Sequence, residues 1–167
     1  MVIDQINTTQ DVEQCVDLYL SLSDDAWMTA DRATSIRSLM DKVKRKKFVR
    51  VLREDGKIIA WIYADLVKLP HTDYINFQQI YYASAESGVR AFRCVKLLHE
   101  AMTEFGETTE AKYYVSPGSP LDDNNVFAKI LEKCGWMRRG YMAFRVVGPK
   151  TAPASTQLEQ PWRAFAR

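Results

Sequence analysis

The sequence lacks long apolar runs and a strong excess of charge of one sign. Its longest uninterrupted apolar segment runs only from Ile58 to Ala64, whereas a membrane-spanning helix needs roughly 20 such residues. The formal net charge is +2, which speaks against a protein that binds nucleic acid through its overall electrostatic field. We therefore expect no membrane association and no general affinity for nucleic acid.

Cysteine and histidine are also scarce. There are 3 cysteines and no C-x-x-C pair, which is typical of reduced, buried thiols in a cytoplasmic protein. The start, Met1–Gln5, has no basic residues followed by an apolar stretch, so we expect no signal peptide. His71 and His99 stand alone, without the spacing of a metal site or a catalytic triad. We expect no metal.

Apolar and aromatic residues are plentiful enough for a core. The chain has 167 residues, of which 47% are hydrophobic, and at this size folding buries about 70% of the unfolded surface. We expect a single domain over residues 1–147. Residues 148–167 are rich in Pro, Ala, Ser, Thr and Gln, which is typical of a flexible tail. Its aromatic and basic end, Trp162–Arg167, either clamps onto the chain's own surface or docks on a second copy or another partner.

The spacing of apolar residues predicts a mixed α/β fold with the order β-α-α-β-β-β-α-β-α-β and an optional last strand. Phe48–Val67 is a hairpin around an Asp-Gly turn. Tyr81 and Tyr82 fall on opposite faces of the next strand. After Gly88 the apolar period changes from 2 to 3.6, which indicates a long helix that ends at Gly106. Thr8 or Thr9 is expected to cap the first helix.

This order resembles the GNAT superfamily of N-acetyltransferases over about residues 2–147. The resemblance rests on the hairpin, on the switch from strand to helix at Ala83–Arg90, and on Asn124–Trp136, which is similar to the family's Asn-led helix ending in E-K-x-G-F. It implies a GNAT-like mixed central sheet of six or seven strands flanked by about four helices. It also implies an acetyl-CoA-dependent acyltransferase acting on a primary amine of a small molecule or a protein.

The start of the long helix is the expected cofactor site. A helix N-terminus presents unpaired N–H groups and a partial positive charge, which suit a phosphate. The resemblance implies that this turn binds the pyrophosphate of acetyl-CoA and that the preceding strand pairs with the pantetheine arm. The residues that it assigns to the cofactor are Ala83, Ser84, Gly88, Val89, Arg90, Ala91, Phe92, Arg93 and Asn124.

The positions of several side chains in the predicted order of elements indicate candidates for catalysis and for acceptor binding. Glu86 and Asp65 are the carboxylates that could take a proton from the attacking amine. The segment between the first two helices borders the acceptor pocket in GNAT proteins, and its residues that could bind a cationic amine are Asp24, Asp25 and Trp27. That segment is otherwise only a helix-breaking turn.

The sequence departs from the family pattern at several positions, which leaves a second hypothesis open. Arg90, Phe92 and Cys94 stand where the family has small residues, and Leu131 stands where many members have a tyrosine that protonates the leaving thiolate. Tyr113, Tyr114 and Tyr141 are the alternative phenols.

The second hypothesis is a catalytically silent binding or structural protein with the GNAT architecture. The segment Gly88–Met102 also resembles GNAT-like proteins of bacteriophages, some of them virion or host-interaction proteins, which would place the chain in a host cytoplasm or a virion. A third hypothesis, nucleic-acid binding through the basic cluster Lys42–Lys47, is the weakest of the three.

Overall fold

The computed structural model describes residues 1–22, 31–68, 74–117, 126–139 and 142–146. Within them the elements follow the predicted order and include the optional last strand. They are β1 Val2–Asp4, α1 Thr9–Leu22, α2 Arg32–Lys44, β2 Phe48–Glu54, β3 Lys57–Lys68, β4 Ile75–Ser84, α3 Gly88–Gly106, β5 Tyr113–Pro117, α4 Val126–Lys133, β6 Met137–Arg139 and β7 Met142–Val146.

The strands form one seven-stranded mixed sheet in the order β1-β2-β3-β4-β5-β7-β6. Of its neighbouring pairs, only β4 and β5 run parallel, and all the others are antiparallel. A parallel pair needs a long crossover connection, and α3 supplies it between β4 and β5. The predicted count of six or seven strands is confirmed.

Helices cover both faces of the sheet, which follows from the alternation of side chains along a strand. On β3, Ile62 packs in the cluster that contains α3 and α4. Its neighbours Trp61 and Tyr63 point to the other face, where they pack with α1 and α2. Because β3 is buried on both faces, its central residues are almost all apolar.

Local hydrogen bonds set where the first two helices begin. The backbone N–H of Asp11 donates to Thr8 Oγ1 (3.1 Å), and the N–H of Thr8 donates back to Asp11 Oδ2 (3.0 Å). This reciprocal pair is a capping box, and it identifies Thr8 as the cap of α1. Asp31 caps α2 in the same way by accepting from the N–H of Thr34 (3.0 Å).

Residues with positive φ end α4 and close the β2–β3 hairpin. Gly135 has φ +84°, and the N–H groups of Gly135 and Trp136 donate back to Glu132 O and Leu131 O, both at 3.0 Å. This is the Schellman arrangement, in which glycine supplies the left-handed residue. At the hairpin, Asp55 and Gly56 have φ +49° and +78°, which confirms the predicted Asp-Gly turn.

Candidate active site

The parallel strands β4 and β5 separate partway along their length. They pair only where Asn76–Gln78 faces Tyr113–Val115. From Gln79 to Ser84, β4 remains paired with β3, but no described strand pairs with its other edge. The sheet therefore opens into a wedge-shaped cleft beside the second half of β4.

A β-bulge lies at the point where the cleft begins. Tyr63 of β3 faces Tyr81, and the next residue, Ala64, faces Gln79, so Ile80 is an extra residue in β4. A bulge bends its strand and increases the local twist. Because Ile80 follows closely after the last residue paired with β5, the bend directs β4 away from that strand.

A buried polar cluster joins the two strands at the base of the cleft. Ser116 Oγ of β5 lies 2.7 Å from Gln79 Oε1 of β4, and His99 Nε2 of α3 lies 2.8 Å from Gln79 Oε1 and 3.3 Å from Ser116 Oγ. The other ring nitrogen, Nδ1, donates to Val95 O (2.8 Å). These side chains bridge the two strands at the base of the cleft.

Burial keeps the His99 ring uncharged. Loss of solvation lowers its pKa to about 4, although the hydrogen bond to Val95 O opposes the shift. A neutral ring whose Nδ1–H donates to Val95 O can only accept at Nε2. The Gln79 amide or the Ser116 hydroxyl must therefore donate to that nitrogen, and the orientation of an amide is inferred from such a network.

Backbone groups of Tyr82 and Ser84 face the cleft. The N–H of Ala85 donates to Ile59 O of β3 (2.9 Å). Backbone groups of successive strand residues alternate in direction, so those of Ser84 and Tyr82 point away from β3 into the open side. Of the two strand residues predicted to contact the cofactor, Ser84 presents its backbone there, whereas Ala83 directs its backbone to β3. Tyr82 was missed, although the alternation would have identified it.

The N-terminus of α3 offers free backbone donors near the far end of the cleft. Ser87 precedes the helix in an extended conformation, and its side chain makes no capping hydrogen bond. The N–H groups of Gly88, Val89 and Arg90 have no acceptor within the helix. Gly88 has φ +56°, a left-handed conformation that favours glycine, and no atom lies within 4 Å of where a Cβ would be.

The larger side chains at the start of α3 differ in their partners and in their exposure. Two carboxylates hold the Arg90 side chain: its Nε donates to Glu86 (2.5 Å), and its Nη2 pairs with Glu54 at the β2–β3 hairpin. Cys94 is buried in the core, Phe92 is half-buried, and Arg93 is exposed.

The two candidate general bases are both ion-paired. The hydrogen bond from Arg90 lowers the pKa of Glu86. Burial raises the pKa of Asp65, but hydrogen bonds from Lys47 Nζ (2.8 Å) and Tyr63 OH (2.9 Å) outweigh it, and the net pKa is lowered. Asp65 faces Gln78 in register, whereas Glu86 follows the opposite end of β4. The structure does not bring these carboxylates together.

A second cavity lies between the α1–α2 layer and the sheet. Its volume is about 280 Å³. Its lining residues are Val16, Tyr19, Thr34, Ser35, Ser38, Leu39, Lys42, Trp61, Tyr63 and Tyr81. The buried indole Nε1 of Trp61 has no acceptor among the described residues. The cavity adjoins the open half of β4 because Tyr81 belongs to both.

Several predicted site residues lie outside the described part of the chain: Asp24, Asp25, Trp27, Asn124, Tyr141 and the segment 148–167. Their expected roles stay predictions. His71, for which no site was expected, lies outside that part as well. Leu131 is fully buried and cannot donate a proton. Tyr114 is also buried, and its hydroxyl donates to Thr103 O (3.0 Å), so it does not serve the cleft.

At the level of sequence, the chain matches no protein-family model and no curated protein sequence. Its fold, by contrast, is similar to solved acetyltransferases. Aminoglycoside 6'-acetyltransferase type Ii superimposes with a TM-score of 0.67 at 13% identity, covering 90% of this chain and 99% of that one. A GNAT superfamily phosphinothricin acetyltransferase from Sinorhizobium meliloti, in complex with AcCoA, gives 0.65 at 12% identity and covers 96% and 95%.

A putative acetyltransferase from Salmonella typhimurium, with its cofactor acetyl-CoA, gives a TM-score of 0.66 at 11% identity and covers 93% of this chain and 98% of that one. Together these similarities show that the chain has the GNAT fold, as its element order predicted. Among the described residues, no cluster of His, Cys, Asp or Glu is arranged to bind a metal ion. None of the described helices combines the length and apolar character that a bilayer crossing needs.

Proposed function

We propose that the protein is an acetyl-CoA-dependent N-acetyltransferase acting on a primary amine. The observation that carries this proposal is the unpaired edge of β4 beyond Gln78, which leads toward the free backbone donors at the start of α3. An extended chain with amide groups fits such an edge as an added strand. A pyrophosphate fits the helix N-terminus.

The pantetheine arm and the pyrophosphate each have a partner in this arrangement. The pantetheine amides pair with the backbone of Ser84 and the C=O of Tyr82, and the pyrophosphate accepts from the N–H groups of Gly88, Val89 and Arg90. Arg93, exposed one turn into α3, adds a cation nearby. The ion pairs of Arg90 with Glu86 and Glu54 leave its backbone N–H free for this role.

The transfer step joins the amine nitrogen to the thioester carbonyl carbon. A C–N bond forms as the carbonyl oxygen takes up negative charge, and the intermediate then collapses by breaking the C–S bond. The N–H of Tyr82, which points into the cleft, is the donor that we assign to the oxyanion. The amine loses a proton, and the thiolate of CoA gains one on release.

Proton transfer at this site depends little on strong acids and bases. A thiol has a pKa of about 8.5, so a thiolate leaves without prior protonation, and a buried leucine at position 131 is compatible with turnover. Glu86 and Asp65 remain the candidate proton acceptors. Their lowered pKa values make each a weaker base than a free carboxylate. We assign them uptake of the amine's proton through intervening water, which requires no direct contact with the amine.

Substitution of Gly88 tests the cofactor site. Gly88→Ala adds a Cβ at φ +56°, where a left-handed residue costs about 1–2 kcal/mol, and so distorts the pyrophosphate-binding turn. We expect the KM for acetyl-CoA to rise about fivefold or more, measured by CoA thiol release and by mass spectrometry of the acetylated amine.

Gly56→Ala is the matched control. Gly56 also has a positive φ of +78° with no atom near an added Cβ, but it lies in the β2–β3 hairpin. The Gly56→Ala variant should lose about as much stability as Gly88→Ala, but it should keep the wild-type KM for acetyl-CoA. An equal rise in KM in both variants would contradict a phosphate site at α3.

The second candidate is a GNAT-fold binding protein without turnover. Buried Leu131 and the paired state of both carboxylates favour it. It predicts that acetyl-CoA binds but that no amine is acetylated. Docking of Trp162–Arg167 on a second copy or a partner belongs to this candidate and stays a prediction, since the segment lies outside the described residues.

A further inference from the structure

The aromatic cavity beneath α1 and α2 specifies the acceptor. We infer that it binds a primary amine with a single aromatic ring and a carboxylate, an aromatic amino acid or a close analogue, in preference to a polycationic amine. This inference rests on the proposed function, because it assigns the second substrate of the same site. Three features of the cavity support the inference: its volume, its aromatic rings and its polar groups.

The size of the cavity limits the acceptor to a small molecule. An engineered apolar cavity of about 150 Å³ holds benzene, so the 280 Å³ found here accommodates one ring with a short substituent. A sugar amine with several rings exceeds that space. The cavity also opens to the surface at Tyr81, whose side chain is 44% exposed, so an amine attached to the bound ring can extend toward the β4 edge.

The walls favour a flat ring. Tyr81 meets Tyr19 edge-on with ring centroids 5.4 Å apart, and it stacks on Tyr63 at 6.2 Å. Trp61 completes the wall at 6.4 Å from Tyr81. Aromatic side chains that line a cavity can pack against another aromatic ring in offset or edge-to-face geometry.

The polar groups favour an acceptor with an anionic oxygen. Lys42 contributes a cation to the lining, together with the hydroxyl groups of Ser35 and Ser38, while none of the described lining residues is Asp or Glu. Lys42 is therefore the one charged side chain among the described lining residues, and it repels a second or third ammonium group.

The experiment compares three ligands by calorimetric titration of the full chain saturated with CoA, which has no acetyl group to transfer. Phenylalanine and phenethylamine share the ring and amine and differ only in the carboxylate, and spermidine is the polycation. We expect phenylalanine to bind at least fivefold more tightly than phenethylamine and spermidine to bind most weakly. Tyr81→Ala should weaken both aromatic ligands three- to tenfold, whereas Tyr74→Ala, outside the cavity, should not.

Lys42→Gln tests the carboxylate contact, with the exposed Lys44→Gln of the same helix as its control. Lys42→Gln should bring the affinities for phenylalanine and phenethylamine within twofold, and Lys44→Gln should leave their ratio unchanged. The inference is overturned if spermidine binds as tightly as phenylalanine, or if neither Tyr81→Ala nor Lys42→Gln alters binding. Binding of CoA, titrated first and separately, reports on the proposed function, so loss of CoA binding and loss of aromatic selectivity are distinguishable.

Discussion

The titratable side chains of this protein take their properties from burial and from their immediate partners. Cys15 illustrates the first cause: burial, reinforced by the charge of Asp11, raises the pKa of its thiol to about 12. Glu86 illustrates the second, since an exposed Arg90 holds its pKa low. The i, i+4 spacing of Glu86 and Arg90 is visible in the sequence, but the burial of Cys15 is not, because it depends on how α1 packs against the sheet.

His99 gives a pH dependence with a definite sign. Its pKa is lowered by burial to about 4 in the folded state, against about 6.5 in the unfolded chain. Between these values the unfolded state binds more protons, so stability rises with pH in that window and is lost as pH falls through it. We expect His99 to account for a loss of about 2 kcal/mol in unfolding free energy between pH 7.5 and pH 5.

Urea unfolding of the wild type and of His99→Gln at both pH values measures this contribution. The variant should be less stable at pH 7.5, because the contacts of the ring with Gln79 and Ser116 are altered, but its stability should vary less with pH. An equal pH dependence in the two proteins would show that folding does not lower the pKa of His99.

At the scale of elements, the close contact between α3 and β5 depends on Gly106. An added Cβ at this position would lie 2.1 Å from Tyr114 Cε1 and 3.0 Å from Phe77 Cδ1. We expect Gly106→Ala to destabilise the protein by about 1–3 kcal/mol through overpacking, which exceeds the gain of up to about 1 kcal/mol in helix propensity. Chemical denaturation measures the difference.

Tyr114→Val serves as the background that isolates the steric cause. Without the ring, the added methyl group has space, so Gly106→Ala should cost less there than in the wild type, and the two substitutions should be non-additive. A cost that is the same in both backgrounds would mean that the methyl group acts on the helix end and not on Tyr114.

Local sequence patterns predicted the elements well, because the signals are local. Thr8 caps α1, Asp55 and Gly56 turn the hairpin, and Gly135 ends α4, each through contacts within a few residues. The bulge at Ile80 was not predicted. It is a mismatch of register between β3 and β4, which depends on how two distant segments pair, and no residue type in β4 marks it.

At the scale of the whole molecule, the proposed cofactor side of the site lies in one segment of the sequence, whereas the proposed acceptor side does not. The turn at Gly88 is one continuous segment, so its similarity to the strand-to-helix switch of GNAT proteins can be recognised from the sequence alone. The aromatic cavity draws Tyr19 from α1, Trp61 from β3 and Tyr81 from β4, and only the packed layers bring them together. The expected acceptor residues in segment 23–30 lie outside the described residues, so their role stays a prediction.

The measurement that tests the central claim most directly is thermal unfolding of the full chain with and without acetyl-CoA. Ligand at 100 times its Kd adds about 2.7 kcal/mol to the stability of a folded state that alone binds it. For a protein of this size that corresponds to a rise in Tm of about 5–10 °C. We predict a rise of that order with acetyl-CoA and a smaller rise in Gly88→Ala than in Gly56→Ala. An unchanged Tm at millimolar acetyl-CoA would contradict a cofactor cleft beside β4.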